Sequence, residues 1–385
     1  MKLVFWLSIF AVLYAYLGYI GLLWLFSVFK NNPVRKRDII PFVSLVISAY
    51  NEEKVIALKI ENTLDLDYPE DLLEIAIISD GSTDRTNDII REYAERDKRV
   101  LPCIVAVNKG KDACLNDFVP GLKGEVILFS DATSFYKEDL IRTIVRPFSD
   151  ERVGFVTGST RYFTSSDHEG ETNQPIGIYS RLERLTKLLE SRIDSCVGAD
   201  GAVFVIRKAL FSPLKPYEIN DLTLPLLIVE KGYRGVLEET AFCRERAADG
   251  MQNEFRRQVR ITTGTLRSLF SHKALLCTLS NTFFLFEVIS HKAMKLITPF
   301  LLILILVSNC IIALRSSFYA TLLGLQLFFY VLAFSGYKCE KTNNIGRLIQ
   351  MATTFTLTNI AMLKGWLAYF TRKDYSTWSP ERSQL

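Results

Sequence analysis

The chain has 385 residues, 49% of them hydrophobic, and a formal net charge of +4. So apolar a composition excludes a wholly soluble protein and predicts a membrane component, while the mild charge, with no basic run interleaved with aromatics, argues against nucleic acid as a partner. The seven cysteines are odd in number and scattered without a C-x-x-C pair, the usage of reduced cytosolic or membrane-buried thiols.

Leu3 to Phe29 carry no charge, a run that at helical rise exceeds the ~30 Å hydrocarbon core of a bilayer. It outlasts the h-region of a cleaved signal, about 7–15 residues, and no small-x-small cleavage site follows, so a retained anchor over 1–30 is predicted. The basic linker Lys30-Asn31-Asn32-Pro33-Val34-Arg35-Lys36-Arg37 then places the following domain, 41–265, in the cytoplasm by the positive-inside bias, on a multi-pass protein of the cell (inner) membrane.

From Phe42 to about Gly158 apolar, β-branched runs alternate with amphipathic segments: strand Val43 to Ser48, helix near Glu53 to Thr63, strand Leu73 to Ser79, helix near Thr86 to Arg96, strand Val126 to Ser130. This alternation predicts an α/β domain with a parallel sheet. From about Phe155 to Thr265 come a helix near Ile178 to Ile193, a Gly198-Ala199-Asp200-Gly201 turn, a strand Ala202 to Arg207 and a helix after Asp221. Residues 266–290 mix basic and apolar side chains, as on a helix lying in the membrane interface. The spans of 291–371 follow: Leu296 to Leu314, Ser317 to Tyr337, and Leu348 to Phe370, which with Lys364 either crosses or lies partly at the surface. A tail, 372–385, ends the chain.

Acidic residues close three of the apolar runs: Glu52 in Tyr50-Asn51-Glu52, Asp80 in Asp80-Gly81-Ser82-Thr83-Asp84, and Asp131 in Asp131-Ala132-Thr133; Asp221 follows in Asn220-Asp221-Leu222. In an open α/β sheet, groups at successive strand ends converge on one crevice, where ligands bind. Each also has a plainer reading. Asp80 can cap a turn, Glu52 can be a first-turn helix acid, and Asp221 can be a helix N-cap. Lys109-Gly110-Lys111 can be a solvated loop or a diphosphate clamp. A carboxylate such as Asp131, together with diphosphate oxygens, suits Mg²⁺ or Mn²⁺.

These motifs, in this order and between apolar ends, resemble the membrane-bound inverting glycosyltransferases of family 2, the group of hyaluronan, cellulose, chitin and poly-N-acetylglucosamine synthases. The resemblance implies a GT-A-type (Rossmann-like) catalytic domain with flanking transmembrane helices. It implies a UDP-sugar donor and a glycan or lipid-linked acceptor, with membrane lipids and other subunits of a polysaccharide assembly system as partners. It assigns Tyr50, Asn51 and Glu52 to covering the nucleoside and Asp80 to the uracil. Lys109, Lys111 and Arg260 face the diphosphate, Asp131 holds metal, and Asp221 is the base. Gly198, Asp200 and Gly201 form the acceptor-side loop, where Asp200 touches the sugar or simply holds the turn. Arg260 also has a membrane-surface reading. The chain departs from the pattern at Thr133, where a second acid is usual, and at Arg257 and Ile261, where processive members carry glutamine and tryptophan. The competing expectation is a non-catalytic nucleotide-sugar-binding subunit.

Overall fold

The computed structural model describes residues 1–163, 175–246, 250–273, 281–339 and 346–371. The expected tail and the stretch 274–280 of the expected interfacial segment lie outside them.

Eight strands form one sheet in the order β3-β2-β1-β4-β7-β6-β8-β5. They are β1 Val43–Ala49, β2 Leu73–Asp80, β3 Val100–Val105, β4 Val126–Asp131, β5 Phe135–Tyr136, β6 Val153–Phe163, β7 Phe204–Arg207 and β8 Arg234–Arg246. The first four run parallel. β1 is buried at every position, and its alternate residues go to opposite faces: Leu45 and Ile47 pack with Ile56, Ile60 and Ile90, and Val46 packs with Ile78, Cys114 and Leu115. Helices on both faces explain why this half reads as unbroken apolar runs rather than alternation.

An all-parallel sheet describes only that half. β7 is antiparallel to β4 and to β6, β8 lies parallel to β6, and β5 closes the edge antiparallel to β8. β3 and β6 carry weak strand signals because Pro102 interrupts the first and Gly154 and Gly158 the second, residues depleted in strand interiors.

The chain moves outward from β1 through β2 to β3 and returns to β4 on the other side of β1. Strand order therefore reverses between β1 and β4, and the crevice at their carboxyl ends is where such sheets bind ligands.

Among the described residues three helices are long and apolar enough to cross a membrane: Lys2–Phe29, Thr282–Ala313 and Ser317–Lys338. Phe5 of the first packs with Ile305 and Ile312 of the second, while Tyr19 and Leu23 pack on Leu189 and Ile193 of the domain helix Pro175–Ile193. Helix Arg347–Phe370 runs back beside the domain helix Met251–Ser271. The two approach so closely that a Cβ on Gly365 would stand 2.7 Å from Thr262 Cβ, and Trp366 Nε1 donates to the Leu296 carbonyl at 2.9 Å.

Candidate active site

A cleft of about 620 Å³ opens at the carboxyl ends of the central strands. Its lining includes Ser48, Ala49, Asp80, Lys109, Lys111, Asp131, Asp200, Gly201, Asp221, Arg260 and Ile261. Residues widely separated in sequence thus meet at the switch point.

Asp80 ends β2 almost fully buried. Its Oδ1 accepts the Lys109 N–H at 2.8 Å and its Oδ2 the Gly110 N–H at 2.9 Å, with Cys114 Sγ at 3.3 Å. It therefore braces the Lys109-Gly110 turn against the strand end while facing the cleft. Gly81 makes the bend possible: its φ is +71°, and a Cβ would meet the Asn108 nitrogen at 2.3 Å. Tyr50, Asn51 and Glu52 do not line the cleft. Asn51 is instead tied to the Asp80–Asp84 loop, its N–H donating to Ser82 Oγ at 3.0 Å and its Oδ1 accepting the Thr83 N–H at 2.8 Å. The Glu52 N–H donates to Thr86 Oγ1 at 2.8 Å.

Of the two lysines, Lys109 turns outward to pair with Asp117. Lys111, in the first turn of helix Lys111–Phe118, pairs with Asp131 Oδ1 at 2.9 Å. Thr133 Oγ1 donates to Glu245 Oε1 at 2.9 Å, so a carboxylate from β8 stands beside the Asp131 turn.

Asp221 lies in the first turn of helix Asn220–Glu230, one residue inside the helix rather than at its cap. Burial raises its carboxyl above the ordinary value, against the pull of Lys111, Lys292 and Lys187. The two glycines of the Gly198-Ala199-Asp200-Gly201 turn both face it. A Cβ on Gly201 would stand 2.9 Å from Asp221 Oδ2, and one on Gly198 would stand 3.4 Å from the Asp221 carbonyl oxygen. Ala199 N–H donates to that carbonyl at 2.7 Å. Asp200 holds the turn: it accepts from Thr160 N at 2.8 Å, Thr160 Oγ1 at 2.7 Å and Ala202 N at 3.2 Å. Helix Met251–Ser271 supplies one wall, with Arg257 ion-paired to Glu254 at 3.2 Å and donating to the Tyr162 hydroxyl at 3.0 Å.

Several lining residues escape sequence reasoning. Asp112 follows Lys111, and burial pushes its carboxyl up to about 7. Asn220 is buried beside Asp221, and its Nδ2 has no hydrogen-bond partner, which leaves a donor for a ligand. Adjacency to Lys111 and Asp221 was the signal for these two. Glu245 had none, since its approach to Asp131 depends on strand order.

Chemically, the cleft combines a carboxylate with a raised pKa, a lysine–carboxylate pair at a strand end, and hard oxygen donors of the kind Mg²⁺ and Mn²⁺ take. Residues 44–211 match the family described as Glycosyl transferase family 2, and this segment is a domain of that family. The beta-monoglucosyldiacylglycerol synthase of Nostoc sp. (strain PCC 7120) is 40% identical over 119 residues, 30% of this chain and 25% of that protein. The probable glycosyltransferase YdaM of Bacillus subtilis is 34% identical over 143 residues, 36% and 34% of the two chains. A poly-beta-1,6-N-acetyl-D-glucosamine synthase of Staphylococcus epidermidis is 30% identical over 131 residues, 34% and 31%. The matches thus span between a quarter and a third of these relatives' length. Among solved structures, a mannosyltransferase from Pyrobaculum calidifontis in complex with GDP-Man and Mn²⁺ superposes with a TM-score of 0.74 at 18% identity, covering 96% of this chain and 100% of that one. The chain has the GT-A-type glycosyltransferase fold.

Proposed function

We propose that the protein is a membrane-anchored inverting glycosyltransferase that takes sugar from a UDP-sugar, with its catalytic domain on the cytoplasmic face. The observation that carries this reading is one cleft holding Asp221 together with the Lys111–Asp131 pair. Lys111 lies close enough for its charge to act on both carboxylates. An inverting transfer needs a single base opposite the departing diphosphate.

Asp221 removes the acceptor proton, and its raised pKa brings it nearer the working pH, where proton transfer is most effective. Gly201 leaves the carboxylate room. Asn220 Nδ2 donates to an acceptor oxygen, and Lys111 turns from Asp131 to the diphosphate, where a preorganised cation stabilises developing charge. Asp131, with a neighbouring carboxylate and the donor's own oxygens, suits Mg²⁺ or Mn²⁺, which when bound neutralises charge on the leaving diphosphate. Lys292 of the membrane helix Thr282–Ala313 acts on Asp221 electrostatically and reaches within 3.7 Å of the Cβ position of Gly198. The acceptor side thus abuts the membrane helix, which supports a lipid-linked acceptor or a growing glycan. Ile261 in the wall offers less stacking area than an aromatic ring, so the products are short.

The test is mass spectrometry of products formed by purified protein from a panel of UDP- and GDP-sugars with membrane lipids present. Transfer from a UDP-sugar with inverted anomeric configuration is expected. Transfer from GDP-sugars alone overturns the donor assignment, and nucleotide binding without any transfer identifies a non-catalytic subunit.

A further inference from the structure

Divalent cations beside a diphosphate take hard oxygen ligands, and affinity rises with the carboxylate charge the protein contributes. The turn after β4 contributes one, Asp131, because position 133 is threonine. The sheet brings another from more than a hundred residues away. β5 pairs with β8 so that Phe135 stands opposite Arg244 and Tyr136 opposite Cys243. Continuing this antiparallel register one step carries Glu245 to the level of Ser134, in the turn that a Ser134 N–H to Asp131 carbonyl bond closes at 3.3 Å. There Thr133 Oγ1 donates to Glu245 Oε1 at 2.9 Å, and Asp131 and Glu245 line the same cleft.

The turn is held from beneath by Lys59. It is fully buried, its Nζ donates to the Ser134 carbonyl at 2.5 Å, and it lies over the Tyr136 ring at 3.7 Å. Burial pulls its pKa down to about 7, against the opposing pull of Cys243, Asp131 and Glu245. On the cleft side Lys111 contacts Asp131 while remaining about one-third exposed. Two carboxylates drawn toward one turn, with a buried amine bracing it from below and an exchangeable ammonium above, form a setting in which a dication can replace the exposed lysine.

We propose that Glu245 is the second carboxylate of a divalent-cation site headed by Asp131, supplied by β8 in place of the missing acid of the turn and oriented by Thr133. The proposal rests on the cleft being a nucleotide-sugar site. It gives Thr133 a positioning role: the hydroxyl holds the carboxylate rather than leaving a ligand out.

The experiment is electron paramagnetic resonance titration of Mn²⁺ into the full chain in detergent, with UDP and, in parallel, GDP present and thermal melting as the folding control. Glu245→Gln weakens Mn²⁺ binding at least about tenfold with the melting temperature kept, the range seen when groups supporting a metal are removed. Thr133→Val weakens it less, since the charge remains. Thr133→Asp alone tightens it, because a further carboxylate at the same turn adds to the charge that draws the cation. The double variant Thr133→Asp with Glu245→Gln moves the acid back into the turn and restores affinity, keeping the test valid if the single Glu245 variant folds poorly. Unchanged Mn²⁺ affinity in Glu245→Gln, with affinity lost in Asp131→Asn, overturns the role of Glu245 and leaves the nucleotide site standing. Unchanged affinity in Asp131→Asn overturns the cation site as a whole, and absence of both UDP and GDP binding overturns the nucleotide-site reading as well.

Discussion

Two groups of charged side chains, built from similar residue types, behave in opposite ways. In the cleft, the Lys111 and Asp131 side chains remain 32% and 24% exposed, so water or a ligand can exchange with either partner. Where helix Pro175–Ile193 meets the apolar helix Thr282–Ala313, the centre of the group, His291 with Glu190, is sealed. His291 faces Glu190 at 2.7 Å and Glu183 at 2.9 Å with no exposure of the ring. Tyr19, from the amino-terminal helix, donates to Glu190 at 2.8 Å. Lys295 and Lys292, partly exposed, form its rim at 3.1 and 3.4 Å from Glu183. Burial alone would raise the Glu183 carboxyl, but His291, Lys295 and Lys292 outweigh it and hold it well below the usual carboxylate range. Pairing by itself does not mark a site. Access distinguishes an exchangeable pair from a fastening between the domain and an apolar helix.

The contrast breaks first at Glu190. Glu190→Ala strands His291 Nδ1 and the Tyr19 hydroxyl in a sealed interior, and removing one partner of a buried pair costs about 3–5 kcal/mol. Denaturation in detergent should show that loss, with nucleotide affinity retained by the fraction that stays folded. Stability changes below about 1 kcal/mol, the range of surface pairs, would mean that water enters the junction.

Asp221→Asn should do the reverse. Turnover falls ~10²-fold or more while nucleotide affinity by calorimetry is unchanged. Stability does not fall, and the sign follows from the carboxyl's raised pKa. A carboxyl raised on folding is favoured protonated, so it contributes stability below its unfolded pKa and loses that contribution as pH rises through the folded value. At neutral pH an amide relieves the burden, and the melting temperature should stay level or rise. A turnover loss matched by lost nucleotide binding would make Asp221 structural.

Gly201→Ala is a smaller disturbance at the same atom, its Cβ arriving 2.9 Å from Asp221 Oδ2. The carboxylate must shift, and turnover should drop about tenfold with nucleotide affinity intact, in line with the sensitivity of positioned groups to small displacements. Equal losses in both would show a collapsed loop.

The smallest effect joins the two regions. Lys292 touches Glu183 at the rim of the sealed group and lowers the Asp221 carboxyl in the cleft. The acid limb of turnover should lie above the ordinary aspartate value of 3.8, since activity fails as pH falls through a raised pKa. Lys292→Met should move that limb upward by a fraction of a pH unit. A pH–rate profile unchanged by the substitution would separate the two regions completely.

The parallel half of the sheet was legible because β-branched runs end at acids, and helix Thr86–Arg96 was read with its bounds. The antiparallel half was not: its pairing is set by which long strand β7 finds, and its glycines erase the local signal. In the cleft, the strand-end residues Asp80 and Asp131 were readable for the same reason that their strands were. Tyr50 to Glu52 were assigned to the nucleoside, but Asn51 adopts φ +52° and bonds the neighbouring loop. Gly198 and Gly201 were read as making room for a sugar; at Gly201 the Asp221 carboxylate stands where a Cβ would need to go, while at Gly198 a Cβ would make ordinary contact with the Asp221 carbonyl. Such uses are tertiary, and a motif cannot announce which neighbour will claim it.

The close approach at Gly365 carries a practical consequence. Helix Met251–Ser271 sends Arg257, Arg260 and Ile261 into the cleft and leans its Thr262 on helix Arg347–Phe370, which is itself fastened to the backbone of Leu296 through Trp366. The cleft therefore has a wall whose buttress is fastened to a helix apolar enough to cross a membrane. Detergent that loosens the buttress will misalign the wall without unfolding the sheet, so a preparation can pass every test of folding and still be slow. For this protein the choice of amphiphile belongs with buffer and temperature as a reaction condition.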